Sequence, residues 1–121
     1  MKRVFFGVFA VILALFALGS CGLSPEEMLT IAANEEAVII DVRTPEEFAR
    51  GHVPGSFNIP LDELQDEALR RLPDLYQEIL VICQSGNRSR TALRALEHMG
   101  YVNVTDLGGI VSWSGELQTT N

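Results

Sequence analysis

One cysteine stands at a position where its sulfur could act as a nucleophile. Cys83 follows the apolar run of residues 79–82 and begins a short polar loop, after which a helix is predicted from about Ser89. The loop includes Gly86, which can adopt a positive φ. Backbone N–H groups of such a loop and of the first helical turn have no intrahelical partner, so they can stabilise a thiolate. The pattern favours a thiolate nucleophile over the alternative, a buried and inert cysteine.

The charges around Cys83 differ from those of the rest of the chain. Residues 21–121 carry seven arginines and sixteen acidic side chains, a formal charge of −9, yet no acid lies between residues 79 and 96. Arg88, Arg90 and Arg94 all fall within that stretch. We therefore predict a small anionic substrate and no nucleic-acid partner. Arg90 and Arg94 are interpreted as structural or steering residues on a helix face.

The N-terminal segment is predicted to direct the protein out of the cytoplasm. A basic start at residues 1–3 precedes the uncharged run 4–19, which is shorter than the roughly 20 residues of a spanning helix. Residues 18–21, Leu-Gly-Ser-Cys, resemble the lipobox of bacterial lipoproteins. This resemblance implies a signal peptide over 1–20, lipidation of Cys21, and a membrane-anchored protein facing the periplasm or the exterior. Ordinary secretory cleavage and a retained anchor remain the alternatives.

Apolar runs and turn residues predict alternating strands and helices. We expect strands at residues 37–40, 57–59, 79–82 and 102–104. We expect helices starting at the capping boxes of Ser24 and Thr44, and over residues 61–72 and about 89–99, with Asn34 ending the first. Gly51 is predicted to be left-handed. Gly108 and Gly109 are predicted to break the chain before a short helical piece at about residues 110–113.

This alternation predicts an α/β fold with a mainly parallel sheet covered by helices on both faces. Ligands of such sheets bind beyond the carboxyl ends of the strands, where Cys83 is placed. With only two cysteines, one of them the predicted lipidation site, a disulfide framework is excluded. The lone thiol of Cys83 is then either inert or present for its reactivity.

Three ordered motifs resemble those of single-domain rhodaneses. The first is the loop Cys83-Gln84-Ser85-Gly86-Asn87-Arg88-Ser89. The second is the framework formed by residues 41–48 and 51–60, and the third is Leu107-Gly108-Gly109 with Trp113. The resemblance covers residues 24–121 and implies one rhodanese-like domain over that range.

The resemblance also implies a reaction. Cys83 would take sulfur from an anionic donor such as thiosulfate, become a persulfide, and pass the sulfur to cyanide or a thiol. Backbone groups of Gln84, Ser85, Gly86, Asn87 and Arg88 would cradle the anionic sulfur, and the Arg88 side chain would bind or orient the donor. Neither a metal nor an organic cofactor is implied. The physiological donor and acceptor and the oligomeric state stay open.

The same residues leave other functions and roles open. Cysteine phosphatases and some arsenate reductases place five residues between cysteine and arginine, whereas four separate Cys83 from Arg88. A non-catalytic rhodanese-like binding or sensor module in the cell envelope is the main alternative, and a thiol redox protein is a third.

Asp41 is interpreted as capping the next turn or pairing with Arg43. His52 is interpreted as turn framework, and Trp113 as core or pocket wall.

Overall fold

The computed structural model describes residues 23–32 and 36–120. The predicted signal peptide, the lipidation at Cys21 and the helix end at Asn34 lie outside the described residues. Within the described ranges, no helix is long and apolar enough to cross a lipid bilayer.

Four parallel strands form one sheet. They are β1 (Val38–Asp41), β2 (Phe57–Asn58), β3 (Ile79–Cys83) and β4 (Val104–Gly109), in the order β2-β1-β3-β4. The register places Asp41 of β1 beside Ile82 of β3, so both strands end at the same edge of the sheet. The predicted parallel α/β architecture is confirmed, and Cys83 lies at the carboxyl edge where such sheets bind ligands.

In the described part of the chain, four α-helices connect or flank these strands. They are α1 (Pro25–Ala32), α2 (Pro45–Arg50), α3 (Leu64–Arg71) and α4 (Asn87–Met99), together with 3-10 turns at Leu61–Glu63 and Ile110–Ser112. Both predicted capping boxes are confirmed. The Ser24 and Thr44 hydroxyls accept the N–H of Glu27 and Glu47, whose carboxylates accept in return.

The core has two layers, one on each face of the sheet. Successive side chains of a strand point to opposite faces, so Val81 of β3 packs with α3 and α4 while Leu80 packs with α1. All five residues of β3 are buried. This burial on both faces explains why β1 and β3 read as continuous apolar runs, and it confirms helices on both sides.

The last strand was predicted only in part. Val104 of the expected strand 102–104 belongs to it, whereas Val102 and Asn103 are exposed and precede it, and the Val102 N–H donates to the Leu75 carbonyl at 3.1 Å. The strand itself begins at Val104 and includes Gly108 and Gly109, which were predicted to break the chain. A register shift opposite Val81 and Ile82 accommodates this glycine-rich end beside β3.

Three local predictions about helices also need correction. Gly51 has φ 165°, an extended conformation rather than the predicted left-handed one. The helix expected over residues 61–72 starts as the 3-10 turn Leu61–Glu63 and becomes α-helical only at Leu64. The helix expected from about Ser89 begins earlier, at Asn87, so Arg88 and Ser89 both belong to its first turn.

Candidate active site

The polypeptide folds back around the sulfur of Cys83 between β3 and α4. Gly86 adopts φ 98°, in the left-handed region, and this conformation lets the loop turn directly into the helix. Its N–H donates to Cys83 Sγ at 3.0 Å. The turn therefore brings a backbone donor onto the sulfur, as its glycine and its place before a helix predicted.

Several donors compensate for burial of the sulfur. Burial is the largest single influence and raises the pKa of the Cys83 thiol. Hydrogen bonds from the Ser89 hydroxyl and from the N–H groups of Ser89, Gly86 and Ser85 together outweigh it, so the pKa of Cys83 lies below its ordinary value. The site thus favours a thiolate, the form of cysteine that acts as a nucleophile.

Cys83 is nevertheless covered, because its residue surface is 0% exposed. Two clefts adjoin the loop that covers it. One, of about 600 Å³, is lined by Ser85, Gly86 and Arg90 among others. The other, of about 440 Å³, is lined by Gln84 and Arg50 among others. A reagent can therefore approach the loop, but contact with the sulfur requires the covering groups to move.

The end of β4 packs against this loop through glycine. A Cβ atom on Gly109 would lie 2.8 Å from the Ser85 Cα, closer than real side chains come. The Ser89 hydroxyl is also within hydrogen-bond distance of the carbonyl oxygens of Gly86, at 3.1 Å, and Gly108, at 3.4 Å. The Leu107-Gly108-Gly109 motif thus supports the loop directly.

The Arg88 side chain forms a two-point ion pair with Glu47 of α2. Its Nη1 and Nη2 donate to Glu47 Oε1 at 2.7 Å and Oε2 at 2.9 Å. This hydrogen bonding is the largest cause that lowers the pKa of Glu47 to about 2 and raises the pKa of Arg88. The expectation that Arg88 contacts the donor stays a prediction.

A second, buried ion pair joins the end of β1 to the loop. Asp41 and Arg43 are 0% and 4% exposed, and Arg43 Nη2 donates to Asp41 Oδ2 at 2.8 Å. The Arg43 guanidinium also donates to the Gly51 carbonyl at 2.6 Å and to Gln84 Oε1 at 3.3 Å. The predicted pairing of Asp41 with Arg43 is confirmed, and it extends to the Gln84 side chain.

The other residues singled out in the sequence serve the framework. The His52 ring stacks on Phe48 with ring centroids 3.8 Å apart, and its Nδ1 lies 2.8 Å from the Phe48 carbonyl oxygen. Trp113 packs against the α1 side of the core, as predicted. Asn87 is exposed at the first position of α4. In the part of the chain that the structure describes, no group of three or more His, Cys, Asp and Glu could hold a metal ion.

Sequence reasoning missed two residues that help build the site. Glu47 was recognised only as a capping residue, although it lies 41 positions from its partner Arg88. The sequence predicts Asn58 as part of a strand and of the framework 51–60, yet its amide also donates to the carbonyl oxygens of Asp41 at 2.9 Å and Arg43 at 2.8 Å. For Glu47, the only signal in the sequence is that Arg88 needs an acidic partner and that no acid lies near it in the chain. No local pattern indicated the second.

Comparison with known proteins places this geometry in a family. Residues 24–116 match the family described as Rhodanese-like domain. The chain is 39% identical over 71 residues to thiosulfate sulfurtransferase PspE of Escherichia coli (strain K12), covering 59% of this chain and 68% of that protein. It is 36% identical over 92 residues to thiosulfate sulfurtransferase GlpE of Pseudomonas entomophila (strain L48), covering 75% and 82%.

A solved structure agrees with the sequence relatives. The structure described as "rhodanese with anions from E. coli" superposes with a TM-score of 0.65 at 34% identity, covering 69% of this chain and 98% of that one. The parallel sheet, the cysteine loop at its carboxyl edge and the match over residues 24–116 all agree. The chain belongs to the family of rhodanese-like domains.

Proposed function

We propose that this protein is a sulfurtransferase that carries sulfane sulfur on Cys83. The observation that supports this most directly is the Gly86 N–H donating to Sγ at 3.0 Å, in a site that lowers the pKa of the thiol. A thiolate held by preorganised donors suits covalent catalysis. The relatives named thiosulfate sulfurtransferase support the same class of reaction.

The proposed reaction has two displacements. The Cys83 thiolate attacks the outer sulfur of thiosulfate or a similar anion, the donor's S–S bond breaks, and sulfite leaves with the electron pair. Cys83 then carries a persulfide. Cyanide, or an acceptor thiol in its thiolate form, attacks the terminal sulfur, the Cys83 S–S bond breaks, and the Cys83 thiolate returns. No oxidant, reductant or proton transfer is needed once the thiolate exists.

The loop residues have distinct parts in this proposal. The N–H groups of Ser85, Gly86 and Ser89 stabilise negative charge on the sulfur in both the thiolate and the persulfide. The Gln84 side chain is oriented by Arg43 at the edge of the smaller cleft. Arg88 uses two N–H groups on Glu47, and a guanidinium has five. The remaining ones are available for the predicted contact with an anionic donor.

The complete burial of Cys83 adds a step before chemistry. Since the residue is 0% exposed, the donor sulfur reaches Sγ only when the groups that cover it move aside. A compact donor needs the least movement. We therefore expect compact donors to react faster than bulky ones carrying the same sulfane sulfur.

Thiocyanate formation from thiosulfate and cyanide tests the activity. Wild type should turn over, whereas Cys83→Ala and the near-isosteric Cys83→Ser should both fall to the background rate. Intact mass after thiosulfate alone should show one added sulfur atom on wild type and none on either variant. Equal rates for wild type and Cys83→Ala would refute catalysis at this loop and favour the binding-module alternative.

We also propose that the mature protein is lipidated on Cys21 and anchored at a membrane of the bacterial cell envelope. The support is the basic start, the apolar run of residues 4–19 and the lipobox-like residues 18–21. Mass spectrometry of the mature N-terminus should find a diacylated Cys21, and Cys21→Ala should release the protein from the membrane fraction. An unmodified Cys21 in the mature chain would refute lipidation without affecting the sulfurtransferase proposal.

A further inference from the structure

The ion pair between Glu47 and Arg88 connects two elements that are far apart in sequence. Glu47 lies in the first turn of α2, and Arg88 lies in the first turn of α4. The two carboxylate oxygens accept at 2.7 and 2.9 Å, and the side chains are 23% and 35% exposed. This paired geometry restricts rotation of the guanidinium more than a single contact would.

The α2 end of this connection is itself fixed. Glu47 closes the capping box with Thr44, whose N–H and hydroxyl donate to Oε1 at 3.3 and 3.2 Å. Arg43, the residue before Thr44, is held by Asp41 in the interior. The Glu47 carboxylate is therefore held near the end of β1 by the Thr44 backbone N–H as well as by the hydroxyl, and a peptide bond joins Thr44 to the buried Arg43.

The α4 end of the connection adjoins the groups that act on the sulfur. Arg88 immediately precedes Ser89, whose hydroxyl and N–H both help to lower the pKa of Cys83. Gly86, the N-cap of α4, donates to Sγ at 3.0 Å. Arg88 therefore lies at the start of α4 between the two residues that carry these donors.

We propose that Glu47 is a positioning residue for Cys83: it holds Arg88, and through Arg88 it keeps the first turn of α4 in the position where Gly86 and Ser89 meet the sulfur. This inference rests on the proposed function only in treating Cys83 as the sulfur carrier. Glu47 itself has no contact with the reacting atoms. Its effect is transmitted through the guanidinium.

Loss of Glu47 should have two opposing effects on the ionisation of Cys83, one weaker than the other. An unpaired Arg88 would remain cationic near the thiolate and would by itself favour ionisation. That effect is weak, because a guanidinium that is 35% exposed is screened by water and salt. Hydrogen bonds weaken steeply as their geometry departs from the ideal. Disorder in the first turn of α4 should therefore dominate, and the thiolate should become harder to form.

The experiment is a double-mutant cycle with Glu47→Ala, Arg88→Ala and the combined variant. Two readouts are taken on the full mature chain: the pH dependence of Cys83 alkylation by uncharged iodoacetamide, and kcat/KM with thiosulfate. Alkylation needs no sulfurtransferase activity, so it remains informative if the proposed function fails. Urea unfolding identifies variants that do not fold, and Glu47→Gln, which keeps the size of the side chain, then replaces Glu47→Ala.

Two neighbouring variants serve as matched controls. Glu46→Ala removes an adjacent acid of the same helix that forms no ion pair within the described ranges. Thr44→Ala removes the capping hydroxyl but leaves the Glu47 carboxylate for Arg88. Both controls should alkylate with the wild-type pH profile.

In the wild-type background, Glu47→Ala should shift the alkylation profile to higher pH and lower kcat/KM by up to about fivefold, the scale of a partly exposed ion pair. In the Arg88→Ala background, the same change should have almost no effect. Equal effects in both backgrounds would overturn the proposal, because Glu47 would then act without Arg88. A Thr44→Ala shift as large as that of Glu47→Ala would also overturn it, since the capping box alone would suffice.

Discussion

Gly109 packs so closely against the backbone of Ser85 that its Cα has room for a hydrogen atom but not for a Cβ atom. A Cβ atom on Gly109 would lie 2.8 Å from the Ser85 Cα and 2.5 Å from the neighbouring Gln84 carbonyl oxygen. Both neighbours are backbone atoms of the reactive loop, so neither can rotate away as a side-chain terminus could. The end of β4 therefore sets the position of the loop.

Gly109→Ala should displace this loop and lower sulfurtransferase activity by a hundredfold or more, on the scale of about 3 kcal/mol of misplaced donors. The control is Gly55→Ala, at a glycine with φ 82° and no atom within 4 Å of the position that a Cβ would take. Gly55→Ala should cost stability through its backbone strain, but it should retain activity. Comparable activity losses in the two variants would show that strain, not contact with the loop, is responsible.

Ser89→Ala should shift the pH–rate profile of the reaction to higher pH. The Ser89 hydroxyl helps to lower the pKa of Cys83, so its removal should raise that pKa. Less thiolate would then be present at acidic and neutral pH, where we expect roughly a tenfold loss of rate. At a pH above both pKa values, the two proteins should converge. A loss of the same size at every pH would contradict a role in ionisation; the measurement is the pH–rate profile of kcat/KM.

Asp41→Asn should destabilise the fold far more than a comparable change at the surface. Asp41 is 0% exposed and accepts from the Arg43 backbone N–H at 3.0 Å as well as from the guanidinium. Without its charge, the Arg43 cation is left buried and uncompensated, which costs about 3–5 kcal/mol. Asp66→Asn, at an exposed acid of α3, is the control and should change the urea midpoint little. Similar midpoints for both variants would refute this prediction.

The Glu47–Arg88 pair should make the free energy of unfolding depend on pH in the acidic range. Since folding lowers the pKa of Glu47 from 4.5 to about 2, the ionised carboxylate stabilises the folded state. The contribution is complete above pH 4.5 and is lost as the pH falls towards 2. Both side chains are partly exposed, so we expect only about 1 kcal/mol between wild type and Glu47→Gln at pH 7. Urea unfolding from pH 7 to pH 3 should show this difference shrinking; a constant difference would contradict it.

The sequence predicts correctly those parts of the site in which local preference and tertiary packing favour the same structure. The apolar run of β3, the glycine of the Cys83 loop and the helix after it each follow from short-range chemistry, and all lie close to their predicted positions. The Thr44 capping box was equally predictable, because its two partners are three residues apart.

The sequence was misleading where tertiary contacts override local preference. The valines at 102 and 104 favour a strand, and Val104 does begin β4, but Val102 is 68% exposed and donates its N–H to the Leu75 carbonyl, whereas glycines 108 and 109 pair with β3. The Glu47–Arg88 pair spans 41 residues, so no short motif contains it. Contacts of that kind depend on how α2 and α4 approach one another, which periodicity does not specify.

The burial of Cys83 also affects whether its sulfur can form a disulfide with a second copy of the protein. Joining two chains by a disulfide requires one sulfur to touch the other, and a residue that is 0% exposed does not permit that approach. The resting domain therefore keeps an ionisable thiol without offering it for dimerisation. Oxidative cross-linking therefore requires the covering groups to move, as the proposed reaction with a sulfur donor does.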